Sequence, residues 1–286
     1  MTTRPRVAFL GPAGTFTDEA LRASAPAEVE ELAYPTVHET VMAVQRRDAQ
    51  LAVVPIENSL EGGVAATLDV LATEADRVRI AAEVVLPIHH CLVAARELDL
   101  SEIERVISHP QATAQCAAFL RERLPGAERV DVGSTAEAVR QVVEADRPWA
   151  ALASRLAAEI YGAEILAEGV EDRPDNRTRF VWLRADGASA PFGSPGPLKT
   201  SIVFWGAGDE SPGWLVRVLG ELADRGVNMT RIESRPRRVR LGHYMFFCDL
   251  EGGEAEPGVA EALEAVAGHV EAVRVLGSYP GVSRGG

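Results

Sequence analysis

Lysine is almost absent from this 286-residue chain: Lys199 is the single one, and the other 28 of the 29 basic residues are arginines. That leaves no GxxxxGK[ST] phosphate loop and confines amine-based covalent chemistry to one position. Cysteine is scarce as well. Cys91, Cys116 and Cys248 show no CxxC spacing, which argues against a disulfide framework or thiolate metal site and for buried free thiols. The six histidines form no HExxH pair, so no metal site is expected from them. His89 and His90 would face opposite sides of a strand and are assigned to structure or pocket lining. No apolar run approaches membrane-spanning length, and "VAFL" at Val7 is too short for a secretory core. A cytoplasmic protein is expected. Acidic residues number 42 and the net charge is −13, so neither nucleic acid nor an anionic membrane is an expected partner.

What is present is globular. Hydrophobic residues make up 47% and charged residues 25%, at a length that accommodates two domains. The stretch "ADGASAPFGSPGPL" (185–198) is rich in Gly, Pro and Ser and has no periodicity, so it reads as a linker. Before it, residues 5–184 alternate apolar runs ("RVAFLG", "AQLAVVPIE", "RVISHP", "RVDVGS", "WAALAS") with helical patterns. In "TAEAVRQVVEADR", Ala138, Val139, Val142 and Val143 share one helical face, with Thr135 as the expected N-cap. Such alternation predicts an α/β domain built on a mainly parallel sheet, whose ligand lies beyond the strands' carboxyl ends. After the linker, residues 199–280 read strand–helix–strand–strand–helix–strand, the ferredoxin-like split motif. The first helix there presents Leu215, Val218, Leu219 and Leu222 and ends at Gly226; the second presents Val259, Leu263 and Val266.

Four loops carry candidate chemistry. "LGPAGTFTDEA" (10–20) offers backbone N–H groups with Thr15 and Thr17 to an anion, or is simply a turn with Thr17 as cap. "VVPIENSLEGG" (53–63) ends a buried strand in Glu57, Asn58 and Ser59. "SHPQATAQC" (108–116) sets Gln111 and Gln115 one helical turn apart, with Ser108 as a possible cap. "EDRPDNRTRF" (171–180) crowds Asn176, Thr178 and Arg179 ahead of Phe180. Together these loops describe a site for an anion with several oxygens, held by neutral donors and helix N-termini.

The ordered set GPxGTF, PIENSxxG, SHPQAxxQC, DNxTRF and ESRP with LGxYxFF resembles prephenate dehydratase, over about residues 5–280. The resemblance implies a two-lobed catalytic domain similar to the type II periplasmic-binding fold, followed by an ACT domain. It implies a hydro-lyase that turns prephenate into phenylpyruvate, CO2 and water, with no cofactor, in phenylalanine biosynthesis. No mutase segment is expected ahead of Val7. Carried over by motif position, Thr178 is the residue whose loss should abolish activity, with Ser59 a donor to the substrate. Glu57 is either the proton source or a carboxylate organising its loop. Thr15, Asn58, Gln111, Asn176, Arg179 and Phe180 are the expected substrate contacts, with Arg179 free to bind a carboxylate or brace the loop.

L-Phenylalanine is the implied effector, at Asn228, Glu233, Ser234, Arg235 and Pro236 and at Gly213, Trp214, Leu215 and Val216. In the latter segment Trp214 replaces the family's alanine, and it either faces outward or fills the pocket. A homodimer or homotetramer through the ACT domains is implied. Arogenate as substrate and an amino-acid-sensing binding protein of the same fold stay open on these residues.

Overall fold

The computed structural model describes residues 4–188, 196–206 and 211–281. Half of the expected linker, 189–195, therefore lies outside the described residues. The first domain runs β1 (Arg6–Leu10), α1 (Phe16–Ser24), β2 (Glu30–Tyr34), α2 (Val37–Gln45), β3 (Leu51–Asn58), β4 (Gly62–Gly63), α3 (Ala65–Thr73) and β5 (Val78–Pro87). It continues with β6 (Cys91–Ala94), β7 (Arg105–Ser108), α4 (Pro110–Gln115), α5 (Ala117–Arg123), β8 (Glu128–Asp131), α6 (Thr135–Ala145), β9 (Trp149–Ala153), α7 (Arg155–Tyr161), β10 (Glu164–Glu168) and β11 (Arg177–Ala185).

These elements form two lobes. One sheet has the order β2-β1-β3-β11-β5 with β4 on β3; the other has the order β10-β6-β9-β7-β8. The expected mainly parallel sheet is corrected to two mixed ones. β1 pairs β2 and β3 in parallel, but β11 returns antiparallel between β3 and β5, and β6 lies antiparallel to β9 and β10. The reason is topological. The chain leaves the first lobe after β5 and re-enters it at β11, so β11 comes in from the opposite end. The two crossings touch each other: Ile88 N donates to Asn176 O at 2.8 Å and Val170 N to His90 O at 3.1 Å.

Local sequence explains the helix starts, with two corrections. Ser134, not Thr135, caps α6, accepting from Glu137 N at 3.1 Å. Thr15, not Thr17, caps α1. Both shifts reflect the cap's extended backbone, which falls on the residue before the first helical one. The predicted face of α6 does turn inward, burying Ala138, Val139 and Val142. The three thiols are free and buried, as expected.

The second domain is β12 (Leu198–Trp205), α8 (Trp214–Ala223), β13 (Met229–Pro236), β14 (Tyr244–Glu251), α9 (Pro257–Ala267) and β15 (Ala272–Pro280), a four-stranded antiparallel sheet ordered β13-β14-β12-β15. Strand alternation sends its side chains to two cores. Ile202, Phe204, Cys248 and Leu250 pack under α8 and α9 with Val218, Leu222, Val259 and Val266. Val203, Met245, Phe247 and Tyr279 join the core of the first lobe instead. The second domain is thus seated on the back of the lobe that carries β3 and β11. Gly226, in left-handed backbone at φ 67°, follows α8 two residues beyond Asp224, where the helix ends.

Candidate active site

A cavity of about 320 Å³ opens between the two lobes, at the crossings. The starts of α1, α2, α3, α4 and α6 all reach its wall, through Thr15 and Phe16, Val37, Val64, His109 and Gln111, and Ser134 and Thr135. Each start brings partial positive charge from backbone N–H groups that have no partner within the helix. No Asp, Glu, Lys, Arg, Cys or Tyr is among the described residues lining the cavity; His90 and His109 are its titratable groups. Helix dipoles and neutral donors of this kind suit an anion.

Its floor is a ladder of side-chain amides. Asn58 Oδ1 accepts from the backbone N–H groups of Leu60 and Glu61 at 2.9 and 3.1 Å. Those donors fix which end of the amide is oxygen, so Asn58 Nδ2 must be the donor elsewhere. It donates to Asn176 Oδ1 at 2.8 Å and to Thr178 Oγ1 at 2.9 Å. Asn176 Nδ2 in turn donates to Gln115 Oε1 at 3.1 Å, and Gln115 Nε2 donates to Glu61 at 3.2 Å. The three inner residues are shielded: Asn176 is 0%, Asn58 7% and Thr178 9% exposed. Because Thr178 Oγ1 accepts from Asn58, its own proton is available to a group in the cavity. Register enforces the contact, since Thr178 and Asn58 are directly paired across β11 and β3.

Other expected residues sit differently. Glu57 and Arg179 are corrected out of the cavity. They pair with one another one position along the same two strands and therefore face the opposite side of the sheet. There Arg179 meets Glu57 at 2.9 Å, Glu83 at 3.0 Å and Asp249 of the second domain at 2.7 Å. The lone lysine joins them, with Lys199 Nζ 2.6 Å from Glu83. Burial opposes the Arg179 charge, but these carboxylates hold the guanidinium protonated. Ser59 is also corrected. It is exposed, and its hydroxyl accepts from Arg177 N at 2.9 Å, tying the β3 end to the second crossing. Thr15 lines the cavity, but its hydroxyl donates to Leu10 O at 2.9 Å and caps α1. Gly14 packs against Ala157 of the other lobe, where an added Cβ would come within 2.9 Å, and Ser154 Oγ donates to Gly14 O. The GPAGTF loop is chiefly a strap between lobes.

Gln111 and Phe180 line the cavity, as does Gln115. Ser108 does not cap α4; its hydroxyl donates to Leu152 O at 2.7 Å, and His109 is the cap. Ser134 and Thr135 also line the cavity, where the sequence alone suggests Thr135 only as a helix cap and Ser134 only as a strand end. Their signal was the strand-to-helix junction "VGSTAEA", the same kind of junction as the other loops.

A family model for prephenate dehydratase matches residues 7–188, and one for the ACT domain matches residues 200–268. The chain belongs to the prephenate dehydratase family. The prephenate dehydratase of Amycolatopsis methanolica is 43% identical over 96% of this chain and 88% of that protein. The bifunctional chorismate mutase/prephenate dehydratase of Neisseria gonorrhoeae is 40% identical over 96% of this chain and 74% of its own length. Among solved structures, the Arthrobacter aurescens prephenate dehydratase in complex with L-Phe is similar at TM-score 0.88 and 40% identity, covering 96% of this chain and 90% of that one. A protein described as a novel type of quorum-quenching acylase is similar at TM-score 0.84 and 35% identity, over 97% and 98% of the two chains.

In the ACT domain the two expected effector segments are linked through β14, where Phe246 and Tyr244 pair with Ser234 and Pro236. Gly213, Trp214, Leu215 and Val216 border a groove of about 330 Å³ with Tyr244 and Phe246. Trp214 turns inward, packed on Phe204 and Phe246, with its N–H donating to His269 O at 2.6 Å. On β13, alternation points Glu233 and Arg235 at the catalytic domain instead. The Glu233 carboxylate occupies the space where a Cβ on Gly63 would lie, and Arg235 forms two bonds to Asp69, at 3.1 and 3.0 Å. Asn228, Ser234 and Pro236 are exposed.

Proposed function

We propose that the cavity between the lobes binds prephenate and converts it to phenylpyruvate, CO2 and water, with Thr178 as a hydrogen-bond donor to the departing hydroxyl. The observation that carries this reading is the polarity of the amide ladder, which turns the Thr178 proton toward the cavity. The substrate is a dianion, and five helix starts with neutral donors suit its two carboxylates. As the ring carboxylate leaves as CO2, its electron pair moves through the ring and expels hydroxide from the opposite carbon. Aromatisation drives the step, so orientation and help to the leaving group are what the site must provide. Asn58, Gln111, Asn176 and Phe180 position the substrate. Amide hydrolysis, the acylase chemistry of one similar protein, calls for a nucleophile or general base; on the described wall those would be the hydroxyls of Ser134 and the threonines and the two histidines.

L-Phenylalanine is the effector in this reading, taken up beside Gly213–Val216 at a contact between ACT domains of two chains. The unpaired edge of β13 supports such a homodimer or homotetramer, because an open strand edge invites pairing.

The test is direct. Purified protein treated with a chelator and given prephenate should release phenylpyruvate, read by its absorbance in alkali. Neither prephenate nor arogenate yielding product would overturn the assignment.

A further inference from the structure

The reaction consumes one proton per turnover, because hydroxide leaves as water. A threonine hydroxyl is far too weak an acid to supply it alone. The wall of the cavity narrows the choice to two groups, since His90 and His109 are its titratable residues. His109 is committed: its Nδ1 accepts from Gln111 N at 3.3 Å as the cap of α4.

His90 is arranged differently. It lies in the first crossing and is 2% exposed. Its Nε2 is 3.0 Å from Gln115 Oε1. That oxygen is fixed as an acceptor by the Asn176 amide, so His90 Nε2 carries the proton and neutral His90 is bare at Nδ1. Among the described residues Nδ1 has no hydrogen-bond partner, although it is buried. Adding a proton at Nδ1 therefore leaves the Gln115 bond intact. We propose that His90 takes up a proton at Nδ1 as the dianion settles in the cavity, and delivers it to the substrate hydroxyl oxygen as the C–O bond breaks. The inference rests on the dehydratase reading above. Thr178 then orients the leaving oxygen, and solvent restores the proton.

The surroundings of His90 fit this cycle. Phe16 of α1 meets the ring edge-on at 5.4 Å. The neighbouring His89 is paired with Glu171 at 2.7 Å, and the other Glu171 oxygen accepts from His90 N at 2.8 Å. Gln115, on α4, is the polar side chain bonded to the ring. Burial lowers the His90 pKa below its ordinary 6.5, with the Gln115 bond and Glu171 opposing. The empty site accordingly holds His90 neutral, and the arriving double negative charge reverses the balance.

The experiment uses two variants, each first checked for folding by circular dichroism. His90→Gln keeps a side-chain amide donor for Gln115 and should lower kcat by about 10²–10⁴-fold, the usual range for a general acid. It should also abolish the alkaline fall in kcat that the wild type shows. His90→Ala should regain activity with added imidazole in proportion to the imidazolium present, not to total imidazole. His90→Gln within about threefold of wild type, with the wild-type pH profile, would overturn the proposal; so would rescue that follows neutral imidazole. Wild-type protein without turnover would instead overturn the dehydratase reading itself.

Discussion

Thr178 and Arg179 are neighbours in β11 that serve opposite faces of one sheet: Thr178 Oγ1 accepts from Asn58 at 2.9 Å in the cavity, and Arg179 reaches Asp249 of the ACT domain at 2.7 Å. Their cross-strand partners on β3 divide in the same way, Asn58 inward and Glu57 outward. A single pair of strands therefore carries the proposed catalytic donor on one side and the ACT contact on the other. Any shift of the ACT sheet against Arg179 acts on the strand that holds Thr178.

The outward contact should be a large part of the hold between domains. Asp249→Asn leaves the buried Arg179 with less compensation, and removing one partner of a buried ion pair costs about 3–5 kcal/mol. Here the remaining Glu57 and Glu83 place the expected loss at the lower end. Denaturant unfolding monitored by Trp fluorescence reads it; an unchanged midpoint would contradict the contact's importance.

Acid should act at the same place. Burial raises the Asp249 pKa, but Arg179, Ser201, Arg231 and Lys199 outweigh it and hold the carboxyl below its ordinary 3.8. A depressed folded pKa means the stabilisation is fully present above the unfolded value and is lost as pH falls through the folded one. Wild type should therefore lose stability more steeply than Asp249→Asn below about pH 4. Parallel acid-unfolding curves would contradict this.

Within the cavity, polarity is separable from packing. Asn58→Asp is nearly isosteric and still accepts from Leu60 N and Glu61 N, but its side chain no longer donates to Thr178. Thr178 would then turn its proton toward residue 58, and kcat should fall by about 10²-fold or more, as for removal of an oxyanion-hole donor. Steady-state kinetics on prephenate checks it. Unchanged kcat would mean that the ladder does not set the hydroxyl's direction.

His90 gives a second pH signature, opposite in origin to a salt-bridged histidine. Its folded pKa lies below 6.5 chiefly through burial, so the unfolded chain binds the proton first. Stability should be fully present above 6.5 and decline as pH falls from there toward the folded value. Melting temperature against pH should slope less in His90→Gln than in wild type over that interval.

Much of this architecture is legible in the sequence. The βαββαβ order follows from the apolar faces of α8 and α9, and the site's loops from polar strand ends running into helices. The sheets are mixed rather than mainly parallel because the direction of β5 and β11 depends on where the chain crosses between lobes, and no local residue records that. Glu57 and Arg179 were placed in the site because motifs read as units. Period-two alternation along β3 and β11 separates each motif into an inward and an outward half. His90 carried no motif; its role emerges only when Gln115, 25 positions away, is brought to its ring.

Trp214 now has a definite place, so its truncation has a definite consequence. Trp214→Ala would empty a space bounded by Gly206, Phe204 and Phe246 and leave His269 O without its donor. Large-to-small changes of this kind cost about 3–5 kcal/mol. Thermal unfolding should show that loss, and a change in L-phenylalanine response without it would contradict the buried placement.

The most direct measurement is kcat for prephenate with wild type, Thr178→Ser and Thr178→Val under one set of conditions. The serine variant keeps a hydroxyl for Asn58 to bind and should retain part of the activity. The valine variant keeps the shape without the donor and should lose about 10²-fold or more in kcat, with KM changed far less. A valine variant that turns prephenate over like wild type would contradict the account at its centre.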